Sequence, residues 1–190
     1  YLKKTIQISD EKSINDEIYF NSLILLYEIN LNYKNSFEIE KILQNLLKTS
    51  EILYTKNSYD YAAIINNLGL YYLKKEDFIK AEKYFNESTI IIESIFGKND
   101  ERYIASISNL VRLYLQINNL PKADIYNQIG LDLAIKKYGK EHKEYLNSIL
   151  DKAVIKYTLG DFESAFWLYN ESLSLSKKIY GENSSAYSSA

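Results

Sequence analysis

A tyrosine recurs at one fixed interval along this chain, and this spacing constrains the fold more than any other feature. The five tyrosines are Tyr19, Tyr61, Tyr103, Tyr145 and Tyr187, and consecutive members always differ by 42 in sequence number. A fixed period of this length is typical of stacked supersecondary units, because one such unit cannot bury its apolar face alone. The spacing therefore predicts a solenoid in which each repeat contacts only its neighbours.

Each repeat has the pattern of two helices joined by a short polar break. The apolar residues of 103–114 recur at intervals of three and four, as on one face of a helix. Asp161 follows such a break and is expected to cap the second helix of its repeat. Gly97, Gly139 and Gly181 recur at the period and are expected to end the second helices in a left-handed conformation. Each repeat is therefore predicted to be an antiparallel helix hairpin.

The period also sets the boundaries of the repeats. The expected segments are a lead-in or the end of a preceding helix at 1–16, a degenerate hairpin at 17–58, full hairpins at 59–100, 101–142 and 143–184, and the start of a further helix at 185–190. The chain contains no methionine, not even at its start, so we expect it to be a segment of a longer protein.

The repeats carry the motifs of a known family. Residues 66–85 are NNLGLYYLKKEDFIKAEKYF, and residues 157–173 are YTLGDFESAFWLYNESL. Both resemble the tetratricopeptide repeat (TPR), with Leu-Gly/Ala-x-x-Tyr in its first helix and Gly-Asp-Phe-x-x-Ala at its turn. The usual repeat is shorter, with about 34 residues. The longer repeats found here, with the endings FGKND and YGKEH, resemble the long subtype of kinesin light chains and many bacterial signalling proteins.

This resemblance covers residues 17–190 and implies a fold and a general role. The implied fold is all-α, a right-handed superhelical solenoid of antiparallel helix hairpins. The implied role is to hold a protein or an extended peptide. The repeat at 143–184 departs from the pattern, because Lys152 and Lys156 stand where the other repeats have leucine and tyrosine. We expect the first helix of this repeat to pack slightly rotated.

Each first helix has two faces, and the period separates them. Counted from each tyrosine of the ladder, offsets 0, 4, 7, 8 and 11 share one face, and offsets 2, 5, 6, 9, 12 and 13 share the other. In TPR proteins the second face lines a concave groove, so the resemblance implies that partners bind there. The predicted partner-binding residues are Asn66, Asn67, Leu70, Lys74, Ser108, Asn109, Arg112, Gln116, Asp151, Val154 and Tyr157.

Three of these residues, Asn67, Asn109 and Asp151, occupy equivalent positions. The family often uses asparagines there to hold the backbone of an extended peptide, since an amide both donates and accepts hydrogen bonds. The alternative is that these side chains bond neighbouring helices or water. Arg112 and Lys74 are the main cations of an otherwise neutral and apolar groove. A partner segment of apolar or mixed composition is therefore expected to fit better than a strongly acidic tail.

Composition and motifs argue against several other functions. A formal net charge of −2, with basic and acidic residues well mixed, gives no surface for nucleic acid or an anionic membrane. The chain has no cysteine and a single histidine, His142, so neither a Cys/His pair nor a conventional zinc site is expected. No common catalytic or nucleotide-binding motif occurs. We therefore expect no catalytic residues, no metal, no cofactor, and no nucleic-acid or membrane partner.

Two alternatives stay open at this point. Bacterial chains with long repeats of this type often precede a caspase-like protease domain or a signalling module. The resemblance therefore also allows a regulatory segment covalently linked to an effector domain, whose active site would lie outside residues 1–190. A helical repeat that binds nucleic acid is disfavoured by the charge balance. The lack of cysteine leaves the redox compartment undetermined, so the cytoplasm is taken as the default location.

Overall fold

The computed structural model describes residues 17–32 and 36–181, and all regular structure in these ranges is α-helical. The helices are α1 (Glu17–Asn32), α2 (Ser36–Leu53), α3 (Tyr59–Lys74), α4 (Phe78–Phe96), α5 (Glu101–Gln116), α6 (Leu120–Tyr138), α7 (Lys143–Thr158) and α8 (Phe162–Tyr180). The predicted all-α class is confirmed. The segments expected at 1–16 and 185–190, including Tyr187, lie outside the described residues.

The helices repeat at the period of the tyrosine ladder. The first helices of the hairpins, α1, α3, α5 and α7, each have 16 residues, and each begins one full period after the one before. The second helices α4, α6 and α8 each have 19 residues and follow the same period. The spacing of the tyrosines is therefore the length of one helix hairpin together with the loop that leads to the next.

The chain divides into two compact units, residues 1–95 and 96–190. In the first unit α3 and α4 are antiparallel. Tyr61 Oη donates to Glu87 Oε1 at 3.1 Å, so the start of α3 meets the second half of α4. Tyr72 stacks on Tyr84 with 5.7 Å between ring centroids, so the end of α3 meets the first half of α4.

The second unit repeats these contacts. Tyr114 stacks on Tyr126 between α5 and α6, as the equivalent tyrosines of the preceding repeat do. Tyr145 Oη donates to Glu171 Oε1 at 2.8 Å between α7 and α8. The core that joins α6, α7 and α8 contains Ala134, Tyr145, Leu146, Ile149 and Leu175. The four described tyrosines of the ladder are at most 5% exposed, as predicted for the packed face.

The same turn joins the two helices in three hairpins. The N–H of Glu76 donates to the carbonyl three residues back at 3.1 Å, and the N–H of Asp77 donates five residues back at 2.9 Å. This pair of bonds is the Schellman motif, whose central residue needs a positive φ. That residue is Glu76, Asn118 or Gly160, with φ of 60°, 55° and 80°. Each turn thus closes α3, α5 or α7 through its own backbone.

The residue after each Schellman turn also starts the next helix. The side chains of Asp77, Asn119 and Asp161 accept a hydrogen bond from the backbone N–H three residues on, at 3.2–3.3 Å. An N-cap of this kind satisfies one of the free N–H groups at the start of a helix. One residue therefore ends the turn and begins the second helix of the hairpin.

A glycine with positive φ follows the second helix of the last three hairpins, and Gly97 has φ 77°. Gly139 has φ 79° and ψ 179°, and Gly181 has φ 79° and ψ 156°. The positive φ is as predicted, but the extended ψ lies outside the left-handed helical region expected from the sequence. Only glycine adopts this backbone conformation readily. After Gly139, His142 Nδ1 accepts the N–H of Glu144 at 3.2 Å, so this histidine caps α7.

The expected rotation of α7 is not observed. Tyr145, Leu146, Ile149 and Ala153 are buried, and so are the equivalent residues of α5, one period before them. The two unusual lysines are accommodated by charge pairs instead. Lys152 Nζ lies 2.6 Å from Asp124 Oδ1 on α6, and Lys156 Nζ lies 3.1 Å from Oδ2 of the aspartate that caps α8.

Candidate groove in the second unit

A cavity of about 470 Å³ opens between α5 and α7 in the second unit. Its lining residues are Ala105, Ser108, Asn109, Arg112, Leu115, Glu144, Asn147, Leu150 and Asp151. All of them except Glu144 stand at the offsets from Tyr103 or Tyr145 that the sequence assigns to the groove face. The two first helices of this unit thus turn their predicted groove faces toward one shared space.

The structure brings only part of the predicted set together at this cavity. Ser108, Asn109, Arg112 and Asp151 line it, but Gln116, Val154 and Tyr157 do not. Those three side chains are exposed near the ends of α5 and α7. The ring of Tyr157 packs edge-on against Phe162, with 5.4 Å between centroids.

The other predicted residues lie on α3 in the first unit. Asn66, Asn67 and Leu70 are partly buried there, and Lys74 is exposed near the end of the helix.

Glu144 is the lining residue that the sequence analysis missed. It stands one residue before Tyr145, at an offset outside the predicted set. A residue three positions before Asn147 shares its helix face, because residues three and four apart are neighbours on a helix. Extending the offsets backward by one turn would therefore have found it.

The polar groups of the cavity differ in how far the protein already uses them. Ser108 Oγ donates to the carbonyl of Ile104 at 3.1 Å, so its hydrogen is committed within α5. Asn147 is exposed, and within the described part of the chain its side chain makes no hydrogen bond. Asn109 is partly buried and interacts with the protein.

Asp151 is the most unusual group in the cavity. Its side chain is partly buried, and burial raises the pKa of its carboxyl to about 6, although the charge of Arg112 acts in the opposite direction. No hydrogen bond and no ion pair reaches the Asp151 carboxylate from any residue in the described ranges. Arg112 is exposed and is also without an ion pair to any of those residues. A carboxylate in such a position is held without the partners that normally compensate its loss of hydration.

The described residues contain no group of three or more His, Cys, Asp or Glu side chains that could hold a metal ion. Within the same ranges, every helix is too short or too polar to cross a membrane. The cavity is lined by two amides, one hydroxyl, three apolar side chains and three charged side chains.

Comparison with known proteins identifies the repeat. Residues 60–136 match the model of the tetratricopeptide repeat family. This part of the chain consists of TPRs. The match includes α4 and α5, together with most of α3 and α6. No curated protein sequence matches the chain.

Several solved structures resemble the chain over nearly its full length. BtubC (BKLC) from P. vanneervenii is 13% identical with a TM-score of 0.75, and the alignment covers 96% of this chain and 74% of that protein. A putative kinesin light chain from P. anserina, with nearly identical TPR-like repeats, is 15% identical with a TM-score of 0.79. That alignment covers 96% of this chain and 86% of that protein.

A variant of the P. anserina protein gives a TM-score of 0.80 at 15% identity, with 93% of this chain and 84% of the other covered. At such low identity these likenesses show the fold alone, a helical solenoid of TPR type. The predicted resemblance to kinesin light chain-like TPRs is confirmed.

Proposed function

We propose that the chain is a non-enzymatic scaffold that binds an extended segment of a partner protein on the groove face of its first helices. The observation that carries this proposal is the cavity between α5 and α7, whose lining comes almost entirely from the predicted groove offsets. TPR proteins are commonly protein-interaction scaffolds, which supports the general role. The default cytoplasmic location stays a prediction.

The lining of the cavity suits an extended peptide. Ala105, Leu115 and Leu150 provide apolar surface for side chains, while Asn109 and Asn147 bring amides to the same space from facing helices. Binding sites typically combine an apolar lining with a few polar groups that fix orientation. An extended backbone presents N–H and C=O groups in alternation, and an amide side chain can pair with both.

Selection of peptides followed by affinity measurement tests this proposal. A random linear peptide library is panned against the chain, and the enriched peptides are synthesised with blocked ends and measured by fluorescence anisotropy. The variant Asn109→Ala/Asn147→Ala should bind them at least about tenfold more weakly, because two hydrogen-bonding groups at about 1 kcal/mol each are lost. Far-UV circular dichroism should show unchanged helix content.

Asn170→Ala is the matched control. Asn170 is an exposed asparagine on α8, and within the described ranges its side chain bonds only the carbonyl of Phe166 in its own helix, at 2.8 Å. Its replacement should leave peptide affinity unchanged. Equal affinity of the control and of the groove variant would overturn the proposed use of this cavity.

A further inference from the structure

The starting observation is a carboxylate in the cavity that accepts no hydrogen bond and forms no ion pair within the described ranges. The carboxylate of Asp151 is partly buried on α7, and no side chain or backbone group in the described ranges donates to it. The neighbouring cation, Arg112 on α5, lines the same cavity but lies beyond ion-pair distance from it. A buried charge usually has a paired group, since the loss of its hydration is otherwise uncompensated.

The charges around Asp151 define what the cavity favours. Arg112 and Glu144 are the other charged lining residues, and Glu144 Oε1 lies 4.0 Å from Lys143 Nζ. Lys152, the next residue on α7, pairs with Asp124 on α6 and is not available to Asp151. On α8, Glu171 accepts the hydrogen bond of Tyr145. Asp151 is therefore the lining carboxylate that no cation of the described ranges pairs with.

The apolar lining adds a second requirement. Ala105, Leu115 and Leu150 surround the polar groups of the cavity. A lysine or arginine side chain has an aliphatic stem that packs on apolar surface and a charged head that donates hydrogen bonds. Such a side chain matches both the apolar walls and the Asp151 carboxylate. An acidic side chain would place its charge beside two carboxylates.

From this geometry we infer that Asp151 forms a subsite for a lysine or arginine side chain of the partner segment. The inference rests on the proposed function and adds to it the chemistry of one ligand residue. The bound cation donates to the Asp151 carboxylate, while its stem lies against Leu115 and Leu150. Asn109 and Asn147 hold the ligand backbone on either side of this contact.

The subsite has a predictable pH dependence. The basic side chain of the ligand stays protonated between pH 5 and pH 7.5, whereas Asp151, with a pKa of about 6, changes from mostly neutral to mostly ionised. Only the ionised form offers a full charge to the ligand cation. Affinity should therefore rise about tenfold between pH 5 and pH 7.5, which follows from the ionised fraction at each pH.

The test uses the enriched peptides from the panned library, with each basic residue replaced in turn by norleucine, which keeps the aliphatic stem. We expect enrichment of lysine or arginine at one fixed position, and about tenfold weaker binding when that residue is replaced. Asp151→Asn should weaken the parent peptide to the same extent and remove the pH dependence. Glu163 is an exposed residue on α8, and the control Glu163→Gln should change neither the affinity for the parent peptide nor its pH dependence.

The outcomes separate this inference from the proposed function. Peptides that need Asn109 and Asn147 but show no basic preference, or that bind Asp151→Asn as well as the native chain, would overturn the inference and leave the groove function standing. Enrichment of acidic residues would also overturn it, with Arg112 then the preferred contact. Failure to select any peptide dependent on Asn109 and Asn147 would overturn both.

Discussion

Two glycines inside helices give opposite predictions for the same substitution. At Gly130 on α6, an added Cβ would lie 3.6 Å from Ile107 Cγ2 and 3.8 Å from Ser148 Oγ, which are ordinary contacts. At Gly69 on α3, it would lie 2.6 Å from two ring carbons of Phe85, a side chain that is 1% exposed. A single methyl group therefore fits in one helix and overlaps a core ring in the other.

The magnitudes follow from helix propensity and packing. Gly130→Ala should stabilise the fold by about 1 kcal/mol, because alanine is the better helix former, and the buried methyl group adds to this gain. Gly69→Ala has the same propensity gain, but the ring of Phe85 must move by about 0.8 Å to restore a 3.4 Å contact. Overpacking of a core costs about 1–3 kcal/mol. We therefore expect Gly69→Ala to be less stable than Gly130→Ala by about 2 kcal/mol.

Urea denaturation followed by far-UV circular dichroism measures this difference. Because arrays of repeats can unfold in more than one step, each transition is fitted separately. Adding Phe85→Leu to Gly69→Ala should recover part of the loss, since a smaller side chain relieves the overlap. Equal stability of the two alanine variants would refute the argument, because it would mean that Phe85 has room to move at no cost.

Three further predictions test other features of the fold and the groove. Glu76→Gly should stabilise the fold against urea by about 0.5–1 kcal/mol. The substitution removes the cost of a left-handed L-residue, about 1–2 kcal/mol, but part of this gain is offset because glycine loses more backbone entropy on folding. Lys75→Gly is the control and should destabilise the fold, since φ is −86° at that position. Tyr145→Phe should cost about 1 kcal/mol by removing the hydrogen bond to Glu171. In an absorbance titration the tyrosinate signal near pH 12 should decrease by the amplitude of one tyrosine, because burial and Glu171 raise the pKa of Tyr145 to about 12. Burial raises the pKa of Asp151, so the folded chain should lose stability as the pH rises from about 4 to 6. The free energy of unfolding of Asp151→Asn minus that of the native chain should therefore be about 2 kcal/mol larger at pH 8 than at pH 4.

The period and the helix faces could be predicted from the sequence, because they depend on spacing that repeats without a gap. The buried tyrosines and the groove position of Asn109 both follow from that spacing. Side-chain pairing could not be predicted in the same way. Lys152 suggested a rotated helix, but its partner Asp124 lies on a different helix, and only the folded structure shows that the two meet.

At particular positions the backbone conformation could not be predicted from the sequence either. Glu76 has a positive φ, although glutamate has no preference for it, because the Schellman bonds around it fix the turn. His142 caps α7, a role for which Ser, Asp and Asn are the usual residues. In both cases the repeated geometry outweighs the local preference of the residue. Gly160, two periods after Glu76, and Asp100, one period before His142, have the same geometry. At these two positions the residue type itself favours the left-handed backbone and the N-cap, respectively.

The turns that close the second unit have a consequence for how such an array grows. The Schellman bonds at Gly160, the cap at Asp161 and the cap at His142 all join residues that are close neighbours in the chain. The bends of the second unit are therefore fixed by contacts between residues only a few positions apart in the chain. A duplication of one full period in the coding sequence would add a hairpin already able to turn correctly. Lengthening the array then requires only that the apolar faces of the new helices pack against those of the existing ones. The groove face can therefore be extended first, and its side chains can be changed by later substitutions.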